Sequence, residues 1–220
     1  MAKTVFIIHT NQLAGGDLTR LFNEMAPEVT IRNIIDDSIL PEVLAHGEVT
    51  PFVLRRYCQY VVQAEDAGAD LIFNQCSSVG EAADMARAMV RIPIVKIDER
   101  MAEVACQTGH RIGVVATAAC TLGPTGRMLR RTAANMGKEV TLFEELRTDA
   151  LERILAGDKK GHNELLLDTI RGLFPVVDVV VCAQGSMISL KPELGETPIP
   201  VLMSPPIGVR HAVDVLHRMV

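Results

Sequence analysis

The residues best suited to chemistry in this sequence lie in one octapeptide, Asn74-Gln75-Cys76-Ser77-Ser78-Val79-Gly80-Glu81. It follows a short apolar run, Leu71–Phe73, and opens a helical pattern in which Ser78-x-x-Glu81 reads as a capping box. Cys76 therefore falls where a strand gives way to a helix. A thiol there meets free backbone N–H groups and the positive end of a helix dipole, which lowers its pKa and favours thiolate. Ser77 and Ser78 can cap that helix or donate hydrogen bonds to a bound anion. The competing reading is a small cysteine packing the strand end, since free cysteine is among the most buried residue types. Position alone leaves both open.

The elements that must hold this segment are short apolar runs, each followed by a helical pattern. Four occur in the first half: Thr4–Ile8, Val29–Ile34, Leu71–Phe73 and Ile94–Val95. Four more occur in the second: Ile112–Ala116, Val140–Phe143, Val176–Val181 and Val201–Met203. Continuous apolar runs suit strands buried on both faces of a parallel sheet. Thr50-Pro51 marks a helix start, with a capping hydroxyl before proline in the first turn. The alternation predicts an α/β layer fold. The polar stretch from Gly157 to Asn163 reads as a turn between two helices.

The two halves repeat one plan. Thr10 and Thr117, Gly16 and Gly123, and Pro93 and Pro200 are each 107 residues apart. Asp70 and Asp178 are 108 apart, and Glu28-Val29-Thr30 matches Glu139-Val140-Thr141 at 111, after a small insertion. One such match is weak; several at nearly one offset, close to half the chain, are not. Ligands of open α/β sheets bind outside the carboxyl ends of the strands. Two such halves facing each other would share one cleft, with Cys76 facing its repeat partner across it. The C-terminal helix, around Gly208–Arg218, is expected to return to the first half.

Composition narrows the partners. A net charge of −5, scattered basic residues and only 4 % aromatics argue against nucleic acid and anionic membrane. The opening run MAKTVFIIHT is too short for a signal segment or a membrane span. Five cysteines, without CxxC or a Cys/His cluster at zinc spacing, predict reduced thiols, a cytoplasmic setting and no structural metal. Gly15-Gly16 is not a dinucleotide fingerprint and no phosphate-binding P-loop occurs, which disfavours a nucleotide-binding or flavodoxin function.

The stretch Asp70-Leu71-Ile72-Phe73-Asn74-Gln75-Cys76-Ser77-Ser78 resembles the first-half motif of the aspartate/glutamate/hydantoin racemase superfamily. The run from Gly113 to Thr125 resembles that family's second-half loop, and Val201-Leu202-Met203-Ser204-Pro205-Pro206-Ile207-Gly208 is similar to its ending. The resemblance implies two pseudo-symmetric flavodoxin-like halves, each a mainly parallel four-stranded sheet flanked by helices, with the cleft between them. Residues 1–98 plus 205–220 would form the first half and 99–204 the second. It also implies a cofactor-independent isomerase, a racemase or epimerase of a small carboxylate such as an amino acid or its derivative. In that chemistry one thiolate removes the α-proton and a thiol on the other face returns one. Thr10, Asn11, Gln12, Ser77, Ser78, Thr117 and Thr121 are the polar residues that match a carboxylate-binding role, against the alternative of turns and caps. A small carboxylate is then the expected partner, with homo-oligomerisation left open.

One position departs from the family pattern. At the 108 offset the partner of Cys76 is Gln184, where a two-thiol racemase has its second cysteine. Cys182 lies two residues earlier, on the same strand face and about 6–7 Å further back. It is carried as the candidate second catalytic residue beside Cys76, with core packing as the competing reading. Cys120, after the fifth strand, is a further candidate thiol; Cys58 and Cys106 read as packing. With one working thiol the enzyme would be a decarboxylase or a cis–trans isomerase of a dicarboxylate, and Gln184 and Ser186 would serve as hydrogen-bond donors. A non-catalytic module that binds a small ligand is the reading from a different class. His9, at the end of the first strand, could orient substrate or tune Cys76, or belong to the core.

Overall fold

The computed structural model describes residues 2–11 and 15–219. In chain order the elements are β1 (Thr4–His9), α1 (Gly15–Met25), β2 (Thr30–Ile35), α2 (Ile39–His46), α3 (Pro51–Asp66), β3 (Leu71–Asn74), α4 (Gly80–Ala86), β4 (Ile94–Lys96) and α5 (Glu99–Thr108). They continue with β5 (Arg111–Ala116), α6 (Ala119–Asn135), β6 (Thr141–Leu146), α7 (Thr148–Leu155), α8 (Lys159–Leu173), β7 (Val179–Cys182), α9 (Lys191–Leu194), β8 (Val201–Met203) and α10 (Ser204–Arg218). The chain divides into two compact units, Met1–Asp98 with Pro205–Val220, and Glu99–Ser204.

Each unit holds a four-stranded, all-parallel sheet, ordered β2-β1-β3-β4 in the first and β6-β5-β7-β8 in the second. The chain leaves β1 for the edge strand β2, then crosses back to β3 on the other side of β1. That reversal opens a crevice at the carboxyl ends of β1 and β3, the usual ligand position in open α/β sheets. The same reversal occurs between β5 and β7.

Backbone hydrogen bonds make the repeat exact at the level of single residues. Asp70 N donates to Thr4 O (2.8 Å), and Asp178 N donates to Arg111 O (2.7 Å). Gln75 N donates to Ile8 O (3.2 Å), matched by Ala183 N to Val115 O (3.0 Å). After β3, Val79 N donates to Cys76 O (3.2 Å); after β7, Met187 N donates to Gln184 O (3.0 Å). The two carboxylates also act alike. Asp70 accepts from Thr4 N at 2.7 Å and Asp178 from Arg111 N at 2.8 Å, each tying the start of one central strand to that of the next. Cys76 and Gln184 therefore hold equivalent places.

The first sheet buries one face under the two ends of the chain. Val5, Ile7, Leu71, Phe73, Val95 and Ile97 pack with Leu18 and Phe22 of α1 and with Val209, Ala212, Val213 and Leu216 of α10. The α10 residues follow the i, i+3, i+4, i+7 spacing of one helix face. Phe22 meets Phe73 edge to face at 5.3 Å, an arrangement worth about 0.5–1.5 kcal/mol beyond burial. A Cβ at Gly208 would stand 2.3 Å from Ile97 O, so only glycine lets α10 approach β4 this closely. The C-terminal helix thus returns to the first half.

Three local expectations are corrected. β2 and β6 are edge strands with exposed residues rather than strands buried on both faces. β7 starts at Val179, because Val176 lies in an exposed turn after α8. Lys159–Asn163 belong to α8, whose N-cap Asp158 accepts from Gly161 N at 2.9 Å, so the turn is confined to residues 156–158. The Thr50 cap is present, with its hydroxyl accepting from Val53 N at 3.2 Å. Among the described residues no helix is long and apolar enough to cross a membrane.

Candidate active site

In the first half, Ile8 pairs with Asn74 and Asn74 with Lys96. Continuing that register by two residues sets Thr10, Cys76 and Asp98 side by side at the carboxyl edge, on strands about 4.8 Å apart. Cys76 is extended (φ −114°, ψ 119°), and the chain then tightens into a 3-10 turn, Ser77–Val79, before α4 begins at Gly80. Val79 holds the N-cap position of α4 and gives it no side-chain cap. Ser78 sits inside the 3-10 turn instead.

The protonation state of Cys76 also differs from expectation. Burial pushes its thiol above the ordinary range, and this outweighs the Thr10 hydroxyl, the Ser78 N–H and hydroxyl, and the Val79 N–H, all of which favour thiolate. A three-residue turn supplies a few amides but not the aligned dipole of a long helix, so desolvation wins. Burial thus favours the neutral thiol at Cys76.

Behind the sulfur lies a buried polar frame. Tyr57 Oη donates to Asn74 Oδ1 at 3.0 Å, and Asn74 Nδ2 donates to the Cys76 carbonyl at 3.0 Å. Burial holds the Tyr57 phenol well above its usual pKa, so it remains a donor. Lys96 Nζ reaches Asp84 Oδ2 at 2.9 Å and ties β4 to α4. These contacts fix the peptide that carries the thiol.

Around it, polar atoms are buried without partners: His9 Nδ1, Thr10 Oγ1, Gln75 Oε1, Ser77 Oγ and Asp98 Oδ1. The Thr10 hydroxyl approaches the Cys76 sulfur, yet it falls outside hydrogen-bond geometry. Each orphaned atom costs about 1–3 kcal/mol, and all five stand at or just beyond the carboxyl ends of β1, β3 or β4, whereas the others, on Thr125, Asn163 and Ser204, belong to α6, α8 and α10. Concentration at one sheet edge is what a site awaiting a polar ligand requires. His9 is fully buried; its Nε2–H donates to Asn33 Oδ1 at 2.8 Å, and desolvation lowers its pKa, so Nδ1 presents a lone pair.

In the second half the equivalent place is already closed. Gln184 Oε1 accepts from Thr117 N at 2.8 Å and from Thr117 Oγ1 at 2.9 Å. Thr117 and Thr121 are buried, Ser186 is exposed in the 3-10 turn Gly185–Leu190, and Cys120 lies in the first turn of α6 rather than in a loop. Asn11 is partly buried just past β1, and Gln12 lies outside the described residues.

Cys182 is placed in the core. It ends β7, fully buried among Val115, Leu166, Ile170, Met187 and Met203, and desolvation alone pushes its pKa up to about 12. The structure thus corrects its candidacy as the second catalytic thiol. Stability should reflect this. The unfolded thiol ionises near 8.5 and the folded one near 12, so the folded state gains its full benefit below the first value and loses it as pH rises towards the second. Urea midpoints from pH 8 to 11 should therefore fall less steeply in Cys182→Val than in the parent.

Tyr57 and Asp98 were not singled out from the sequence, and Asn74 was given no role of its own within the octapeptide. Asp98 had one legible signal, its place two residues beyond the fourth strand. Among the described residues no three His, Cys, Asp or Glu side chains gather in metal-binding geometry.

The fold is shared with racemases. The Picrophilus torridus aspartate racemase aligns with a TM-score of 0.72 at 15 % identity, over 98 % of this chain and 94 % of that one. A Francisella tularensis glutamate racemase, in complex with D-glutamate, aligns with a TM-score of 0.73 at 14 % identity, covering 99 % and 82 %. The Klebsiella pneumoniae allantoin racemase gives 0.65 at 16 %, covering 98 % and 88 %. Identities this low establish the shared architecture alone. A comparison with curated proteins returned no match. The sequence itself decides the family: residues 5–212 match its profile from β1 into α10, so the chain belongs to the Asp/Glu/Hydantoin racemase family.

Proposed function

We propose that this protein is an enzyme acting on a small carboxylate, with Cys76 as its single working thiol, and that it exchanges a proton with the neighbouring carbon on one face only. The observation that carries this reading is the equivalence of Cys76 and Gln184 in the two halves. Where a two-thiol enzyme needs its second acid, this chain has an amide, and an amide does not exchange protons at a useful pKa.

The neutral state of Cys76 fits a donor. An enolate generated beside the carboxylate by loss of carbon dioxide would take the S–H proton to carbon. The thiolate left behind would be held by the Ser78 and Val79 N–H groups until solvent returns a proton. Decarboxylation with one-face protonation is favoured on this ground. Cis–trans isomerisation would instead need the thiolate as nucleophile from the start.

Racemisation of an amino acid or a derivative is the second reading, favoured by membership of the racemase family. It requires a second acid, and with Cys182 in the core the remaining candidate is Cys120.

Turnover in deuterated water separates the two. Amino acids, hydantoins and substituted malonates would be screened by proton NMR and chiral chromatography. One-face deuterium incorporation, giving a single enantiomer, is the expected result. Deuterium on both faces with loss of optical activity would instead establish racemisation, and no exchange in any substrate class would overturn both.

A further inference from the structure

Cys76 and its repeat partner Gln184 open equivalent 3-10 turns, but the residue two places earlier differs. In the first half it is Asn74, paired with Ile8; in the second it is Cys182, paired with Val115. Both are fully buried. In the second half the Gln184 carbonyl accepts from Met187 N at 3.0 Å, and Cys182 belongs to the apolar core. In the first half the Cys76 carbonyl accepts twice, from Val79 N at 3.2 Å and from Asn74 Nδ2 at 3.0 Å. The fold therefore makes this turn without an amide, and the half that carries Cys76 adds one.

The direction of that amide is set. A carbonyl can only accept, so the end of Asn74 that faces the Cys76 carbonyl is its nitrogen and the other end is its oxygen. Tyr57 Oη must then donate to Oδ1, at 3.0 Å, from a phenol that is fully buried and held well above its usual pKa. The consequence falls on the Val79 N–H. It closes the turn onto the Cys76 carbonyl, and it is also among the donors that favour a thiolate at Cys76. At 3.2 Å its bond to the carbonyl is the longer of the two, at the end of the ordinary N–H···O range. With Asn74 Nδ2 in place, the Val79 N–H can turn to the sulfur without stripping a buried carbonyl of its last hydrogen bond.

We propose that Tyr57, acting through Asn74, holds the Cys76 carbonyl so that the Val79 N–H is free to receive negative charge on the sulfur. Tyr57 and Asn74 are then positioning residues for the thiol. This rests on the reading of Cys76 as proton donor, since a donor thiol must pass through thiolate in each turnover. The titratable groups around the sulfur are Tyr57 from α3, His9 at the end of β1 and Asp98 beyond β4. From α4 come Glu81 and Asp84, the latter paired with Lys96 of β4 at 2.9 Å, and Cys58 and Arg87 lie within electrostatic reach of Tyr57. Tyr57→Phe and Asn74→Leu change none of these charges, because so buried a phenol stays neutral near physiological pH.

The test follows iodoacetamide labelling of Cys76 from neutrality to about pH 10, read by peptide mass spectrometry after digestion. Parent, Tyr57→Phe, Asn74→Leu and the double variant are compared. Each single variant should ionise Cys76 at higher pH than the parent and label it about tenfold more slowly on the rising limb, as loss of one hydrogen bond to a charged group implies. The double variant should match Asn74→Leu, because Tyr57 then has nothing to act through. Simple loosening of the turn would instead expose the sulfur and speed labelling, so the direction of the change separates positioning from a merely structural role. With a substrate found in the deuterium screen, kcat should fall by a similar factor while KM stays near the parent's. Thermal midpoints identify a variant that has lost its fold, and if Asn74→Leu fails there, Tyr57→Phe decides alone.

Unchanged or faster labelling in Tyr57→Phe would overturn the proposal and leave the proton-donor reading standing. A double variant that labels more slowly than Asn74→Leu would overturn the route through Asn74. Slower labelling in both single variants with unchanged turnover would uphold the hold on the sulfur and overturn Cys76 as the proton donor.

Discussion

Cys76→Ala is expected to lower turnover by about 10²- to 10⁴-fold, the ordinary worth of a positioned acid or base, while the protein still folds. The sulfur is buried but makes no contact on which the sheet depends. The frame behind it, Tyr57 to Asn74 to the Cys76 carbonyl, runs through backbone and survives the substitution. Cys76→Ser should be nearly as inactive, since a hydroxyl has far too high a pKa to exchange the proton. The pH dependence carries its own sign. Because burial raises the thiol pKa, the active protonated form persists through neutrality, and turnover should fall only on the alkaline side, beyond the range where an ordinary cysteine ionises. Iodoacetamide labelling of Cys76 should rise over that same range, since thiolate is the species it reads. Activity within a few-fold of the parent in Cys76→Ala would exclude any mechanism that depends on Cys76.

Gln184→Cys is expected to supply the thiol that the racemase reading lacks. Cys76 and Gln184 open equivalent 3-10 turns with nearly the same backbone, φ −114° and ψ 119° against φ −115° and ψ 132°. Each stands beside an equivalent threonine, Thr10 or Thr117. A thiol at 184 would therefore inherit the Thr117 hydroxyl and N–H as donors, the same kind of support that Ser78 gives Cys76. Deuterium exchange on the face the parent leaves untouched should rise by about 10²-fold or more, and a single-enantiomer product should lose optical purity. Chiral analysis of product from parent and variant, side by side, reads both effects. If the variant stays as stereospecific as the parent, the equivalence of the two positions does not extend to chemistry.

The alternation of short apolar runs with helical patterns was enough to locate eight strands, although β2 and β6 are exposed edges and β7 starts three residues later than its apolar run. The repeat was legible because residues with fixed structural duties recur. Asp70 and Asp178 brace strand starts, and Pro93 and Pro200 precede the fourth strand of each sheet. The same offsets singled out Gln184 as the partner of Cys76. They also left Cys182 as a candidate thiol, because alternation along a strand gives a side chain's face but not its depth. Only the packing of α8 and its neighbours against β7 shows that the sulfur is enclosed.

What the sequence determined by itself, then, was the fold plan, the family resemblance and the identity of the one thiol at a sheet edge. All three depend on local pattern and spacing, which a linear chain carries. The protonation state of Cys76, the depth of Cys182 and the direction of the Gln184 amide depend on what lies across space: how much apolar surface excludes water, and which donors 67 residues away reach an oxygen. The sequence argument placed Cys76 at a helix start and expected thiolate. Tertiary structure reversed that, because desolvation of a buried sulfur outweighs the few amides of a three-residue turn.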